Sequence, residues 1–122
     1  MTAGIGVMMG AFGAHALKAR ISPESLDVLK TGVLYLFVHS LATFGISIMG
    51  LQGHQARMLK FTGIIFLIGI LLFSGSLFLI STREVTGLDI SMIGIITPFG
   101  GMCFLTGWLS LAFWRLGAGK RS

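Results

Sequence analysis

Three observations predict an all-α integral membrane protein, a four-helix up-down-up-down bundle. Charged residues make up 11% of the chain and hydrophobic ones 54%, where a soluble domain carries roughly 25% charged residues. The charges leave residues 1–17, 31–52, 59–81 and 90–114 free of acids and bases, apart from Lys60 at one edge. The links between these runs are short, which makes successive helices antiparallel neighbours. With 122 residues there is room for one domain. The expectation is a single transmembrane domain, residues 1–122, with helices near 1–19, 23–52, 58–81 and 89–115.

A spanning helix needs about 20 apolar residues, and the first run is the shortest. Ala14-His15-Ala16 has the small-x-small form of a signal-peptide cleavage site. No Lys or Arg precedes the apolar run, so the positive region that such peptides begin with is missing, and a true helix is expected. Ala3, Gly6, Gly10, Gly13, Ala14 and Leu17 fall on one side of it at 100° per residue. Such a stripe lets another backbone approach closely in lipid. Helix two opens at Ser22-Pro23-Glu24, a capping serine, a proline at the first helical position and an acid in the first turn. Its wheel sets Leu34, Phe37, Leu41, Phe44 and Ile48 toward lipid, and Gly32, Tyr35, His39, Thr43 and Gly50 toward the bundle. Helix three carries two serines, Ser74 and Ser76, at mid-membrane depth. In helix four, Pro98 deprives the Gly94 carbonyl of its donor and Gly100-Gly101 follow. A kink at Pro98 is expected, with Gly94, Pro98, Gly101 and Trp108 on the inner face.

The net charge of +5 comes from bases scattered through short links. That is the pattern of a topology signal and not of a nucleic-acid surface. No Asp, Glu, Lys or Arg lies deep in a span, which removes the usual proton-relay, ion-coupling and voltage-sensing devices. Phosphate-loop, zinc-spacing and Ser-His-Asp patterns are missing as well, so no catalytic, cofactor or metal residue is assigned and the protein is not expected to be an enzyme. The lone Cys103 excludes an intrachain disulfide and reads as a small buried hydrophobe.

Two histidines remain. Imidazole in lipid costs free energy unless its nitrogens find partners. His39, one turn after Tyr35, is open to three readings. It is a buried histidine satisfied by a neighbouring helix, part of a ligand or lipid-headgroup site with Tyr35, or a haem ligand with His15. The depths of His15 and His39 differ by roughly 9 Å at 1.5 Å per residue, which weighs against haem. His15 lies near the boundary, away from the glycine stripe. Ser74 and Ser76 either bond the carbonyl one turn back and join helices, or line a polar site.

Several of these segments together resemble a known family. They are Gly10-Ala11-Phe12-Gly13-Ala14-His15, then Thr31-Gly32 with Tyr35 and His39, then Phe73-Ser74-Gly75-Ser76-Leu77, and finally Thr97-Pro98 with Gly100-Gly101 and Gly107-Trp108. In order and spacing they are similar to the domain of unknown function 423 family, small four-helix membrane proteins of the YgdD-like and transmembrane protein 256-like kind. The resemblance spans nearly the whole chain and implies residence in the bacterial cytoplasmic (inner) membrane or the mitochondrial inner membrane. Its motif positions fall on His15, Tyr35, His39, Ser74, Pro98 and Gly101. Helix one starts later than is usual in the family, and Phe78 stands where a tyrosine often follows.

The expected role is a structural or accessory bundle in the lipid bilayer, packing as a homo-oligomer or with a larger membrane complex. The alternatives are an oligomeric pathway for ions, small molecules or lipids, and a haem-binding electron-transfer subunit. Both termini are expected in the cytoplasm. Arg57, Lys60, Arg115, Lys120 and Arg121 would then lie inside, against Lys18, Arg20, Lys30 and Arg83 outside.

Overall fold

The computed structural model describes residues 2–54, 57–87, 89 and 92–118. Lys120 and Arg121, counted above for topology, lie outside the described residues, as do residues 1, 90 and 91 of the expected helices. Among the described residues the fold has four helices, three of them long and apolar enough to cross a membrane and a shorter apolar one near the N-terminus. We label them α1 (Thr2–Leu17), α2 (Pro23–Leu51), α3 (Arg57–Thr86) and α4, which runs from a 3-10 turn at Ile93–Ile95 into the α-helix Ile96–Ala118. At 1.5 Å per residue α1 is about 24 Å long, less than the roughly 30 Å of a hydrocarbon core.

Local chemistry accounts for the helix ends. Ser22 is extended (φ −62°, ψ 156°) and its side chain accepts from the Ser25 N–H at 3.2 Å, with proline next in the chain. At the far end of α2 the amides of Gln52, Gly53 and His54 return to the carbonyls of Ile48, Gly50 and Met49. Gly53 turns the chain at φ +85°, a left-handed conformation that glycine reaches without a Cβ penalty. α3 ends on Gly87, also left-handed.

Close packing follows the glycines. α1 lies along α2. Any Cβ on Gly6 would stand 2.9 Å from Leu36, Gly10 faces Val33, and Gly13 is filled by the Leu29 side chain. Between α3 and α4 three phenylalanines enter three glycine sites: Phe66 at Gly107, Phe73 at Gly100 and Phe104 at Gly69. The main core is Leu36, Ile46, Leu59, Phe66, Ile70 and Phe104. A smaller cluster of Leu17, Ile21 and Leu29 closes the other end. The polar pair Thr62–Ser110, at 2.9 Å, and Thr97 Oγ1 beside Ser76 Oγ, at 2.7 Å, tie α3 to α4.

Two regions differ from the sequence-based expectation. The irregularity expected in helix four takes the form of a change from 3-10 to α geometry at Ile95–Ile96. Pro98 thereby falls in the first turn of the α-helix, where the N–H it lacks would have no intrahelical acceptor. The inner face of α4 is Gly100, Phe104, Gly107 and Ser110, one position round from the expected one. Gly94, Pro98 and Trp108 are exposed and Gly101 is half-buried. On α2, Phe37 turns toward α1 and packs at Gly6, while Gly50 is exposed. α1 and α3 each include a π turn, Gly13–Leu17 and Ile70–Ser74.

Candidate functional site

α4 approaches α2 through side chains, across an aromatic layer resting on α3. Its centre is His39, 3% exposed. The Trp108 indole N–H donates to His39 Nε2 at 3.1 Å, and His39 Nδ1 lies 2.8 Å from the Tyr35 carbonyl. An indole nitrogen only donates, so Nε2 is the acceptor and Nδ1 holds the proton that it donates to Tyr35. The imidazole is neutral and both its nitrogens are engaged. Its ring stacks on Phe104 with centroids 3.5 Å apart and planes within 10°. Phe66 meets it edge-on at 5.2 Å. Tyr35 extends the layer, 4.6 Å from the Phe73 ring.

Beyond this layer lies an open groove between α2 and α4 of about 710 Å³. Pro98, Gly101, Leu34, Val38 and Leu105 border it, with the aromatic layer as its floor. The groove therefore brings together Tyr35, His39, Pro98 and Gly101 of the residues marked by sequence.

His15, Ser74 and Ser76 fall elsewhere. His15 is exposed on the side of α1 away from α2. Ser76 donates to the Phe73 carbonyl at 2.8 Å and so accepts from Thr97. Ser74 is buried, and its hydroxyl has no hydrogen-bond partner among the described residues; the same holds for Ser40. Shared haem ligation by His15 and His39 does not fit: one is on an outer face and the other has no nitrogen to spare. No group of three or more His, Cys, Asp or Glu that could hold a metal ion occurs among the described residues.

Two features escaped the sequence reading. Trp108 was placed on a face but not paired, although a buried imidazole and an indole donor in the same bilayer each need a partner. The second is Glu84, at the end of α3. Its carboxylate accepts from the Ser22 N–H at 2.8 Å, the Ser22 hydroxyl at 2.8 Å and the Ser25 hydroxyl at 2.6 Å. A negative group is favoured at the α2 N-terminus, and this one clasps α3 to the α1–α2 turn.

The family model for "Protein of unknown function (DUF423)" matches residues 9–101, from the middle of α1 to the centre of the groove. The chain belongs to the DUF423 family. The UPF0382 membrane protein YwdK of Bacillus subtilis is 36% identical over 107 residues, 88% of this chain and 83% of its own length. A UPF0382 membrane protein of Haemophilus influenzae is also 36% identical, covering 88% of this chain and 81% of itself. The UPF0382 membrane protein C1782.12c of Schizosaccharomyces pombe is 32% identical over 91% of this chain and 92% of itself. No solved structure matches the chain significantly. With relatives named as membrane proteins in bacteria and yeast, this DUF423 chain is an integral membrane protein, in contact with the lipid bilayer.

Proposed function

We propose that this DUF423 protein is a non-catalytic accessory module that works by packing against another transmembrane helix, from a second copy or a larger membrane complex. The observation that carries this reading is the state of His39. The titratable side chain buried in the aromatic layer spends both nitrogens joining α2 to α4, leaving neither for a substrate, a metal or a relayed proton. The aromatic layer is thus a rigid floor, and the groove above it is a preformed concave surface. Gly101 and Pro98 keep one wall low, while Leu34, Val38 and Leu105 offer apolar rims. Close approach over small residues is how membrane helices associate. The module resides in the bacterial cytoplasmic or mitochondrial inner membrane with both termini on the cytoplasmic or matrix side, following its excess of bases there.

Photo-crosslinking in native membranes tests this. A photoreactive residue at Leu105, on the groove rim, should give a discrete protein adduct, either a doubled mass or one fixed partner. The same group at Leu71, exposed on α3, should label lipid. Lipid adducts alone at Leu105 would overturn the reading in favour of a groove for acyl chains.

A further inference from the structure

A second cleft lies at the C-terminal end of α2, between its last turns and the start of α3, with a volume of about 550 Å³. Its mouth holds His54, Arg57 and Lys60, and its depth is apolar, formed by Ile46, Leu59, Ile64 and Leu67. Gly50 and Gly63 widen it; a Cβ on Gly50 would meet nothing within 4 Å. Arg57 and Lys60, three residues apart in the first turn of α3, share one face and are both exposed.

No acidic side chain lines this cleft among the described residues. The chain has four acids, Glu24, Asp27, Glu84 and Asp89, and all belong to the other end, beside the α1–α2 and α3–α4 links. Three carbonyls in the last turn of α2 are occupied, those of Ile48, Met49 and Gly50, which accept from Gln52, His54 and Gly53. The hydroxyls of Thr43 and Ser47 in the wall donate to their own helix, to the His39 and Thr43 carbonyls. Among the described side chains that line the cleft, donor capacity toward a ligand therefore rests on the two cations and His54. His54 also meets Trp114 edge-on at 6.0 Å, and tryptophan marks the headgroup level of a span.

A cationic mouth at headgroup depth over an apolar cleft matches the chemistry of one molecule class. We propose that this cleft binds an anionic phospholipid, its phosphate held by Arg57, Lys60 and His54 and one acyl chain lying between α2 and α3. A basic pocket between membrane helices on the cytoplasmic side is suited to an anionic headgroup. The cleft is separate from the α2–α4 groove, so this inference stands or falls apart from the packing role.

The test uses full-length protein in nonionic detergent and native mass spectrometry. Phosphatidylglycerol and phosphatidylcholine of identical chains are offered at equal concentration. The wild type should retain one phosphatidylglycerol with a preference of roughly twenty-five-fold, about fivefold from each of two bases. The preference should vanish in R57Q/K60Q and survive in K18Q/K30Q, whose charges lie at the other end. Gly63→Leu, which fills the cleft, should weaken retention of both lipids. Thermal melting in the same detergent checks that each variant is folded, and K60R should keep the preference. Equal retention of the two lipids by wild type would overturn the proposal. So would a preference that persists in R57Q/K60Q, or displacement of the lipid by soluble glycerophosphate, which would make the site one for a free phosphate.

Discussion

Gly100 and Gly101 are adjacent, and alanine at the two positions should act in opposite directions. A Cβ on Gly100 would stand 2.7 Å from Phe73 Cβ and 2.8 Å from Phe73 Cα. Ordinary carbon contacts are about 3.5–4.0 Å, so α3 and α4 must part by about 1 Å. The obstacle is backbone and cannot swing aside. Separation also loosens the neighbouring insertions of Phe104 at Gly69 and Phe66 at Gly107. Overpacking of this kind costs about 1–3 kcal/mol, and the shared interface places Gly100→Ala near the top, about 3 kcal/mol. A Cβ on Gly101 meets only the Phe73 ring, at 3.9 Å, an ordinary contact. Gly101→Ala should therefore be neutral or gain up to about 1 kcal/mol from helix propensity. Reversible unfolding in mixed detergent micelles would measure both. A penalty at Gly101 equal to that at Gly100 would refute this account of the α3–α4 interface.

Other changes separate the polar contacts. Trp108→Phe keeps an aromatic ring but leaves His39 Nε2 without its donor, at a cost of about 1–3 kcal/mol; in His39→Phe, which has no acceptor to orphan, adding Trp108→Phe should cost distinctly less, and equal costs in the double-mutant cycle would count against the pairing. Ser74→Ala removes a buried hydroxyl that has no partner among the described residues, so melting should be unchanged or up to about 1 kcal/mol more favourable, and a clear loss would reveal a missing acceptor or donor. Glu84→Gln forfeits the charge in the clasp on Ser22 and Ser25, and trypsin should then cut faster after Arg20 in the α1–α2 turn, an effect absent if the clasp does not hold that turn.

Much of the architecture was legible because charge is intolerable inside a bilayer. The positions of Lys18, Arg57 and Arg83 mark the three links between helices, and Ser22-Pro23-Glu24 marks the start of α2. The stripe through Gly6, Gly10 and Gly13 was legible for a related reason, since each meets an α2 side chain. The inner face of α4 was not. Gly94, Gly101 and Trp108 repeat at sevens, but so do Gly100 and Gly107, and a wheel cannot choose between two stripes one residue apart. The choice is made by Phe66 and Phe73 on α3, whose direction a sequence does not disclose. At the candidate site, Tyr35 and His39 were legible as a pair one turn apart. Their partner Trp108 lies 69 residues from His39, beyond any local pattern. Glu84 was missed because an acid in a short link has many uses, and only the approach of the α2 N-terminus assigns this one.

The π turn in α3 has a consequence for how this chain can vary in length. Residues 57–69 lie chiefly along α4, while residues 75–86 lie chiefly along α2, with Ile70–Ser74 between them. A π turn is an α-helix with one residue to spare, and one residue is about 100° of rotation. The spare residue acts as a phase shifter, allowing one continuous helix to present matched surfaces to two neighbours. Deleting Leu72 would leave a good α-helix of nearly the same length. Its second half, however, would point elsewhere by about 100°, withdrawing Leu77 from Gly32 and Glu84 from Ser22. A gap of a single residue in mid-span, ordinarily the mildest of edits, is here a change of partner for half a helix.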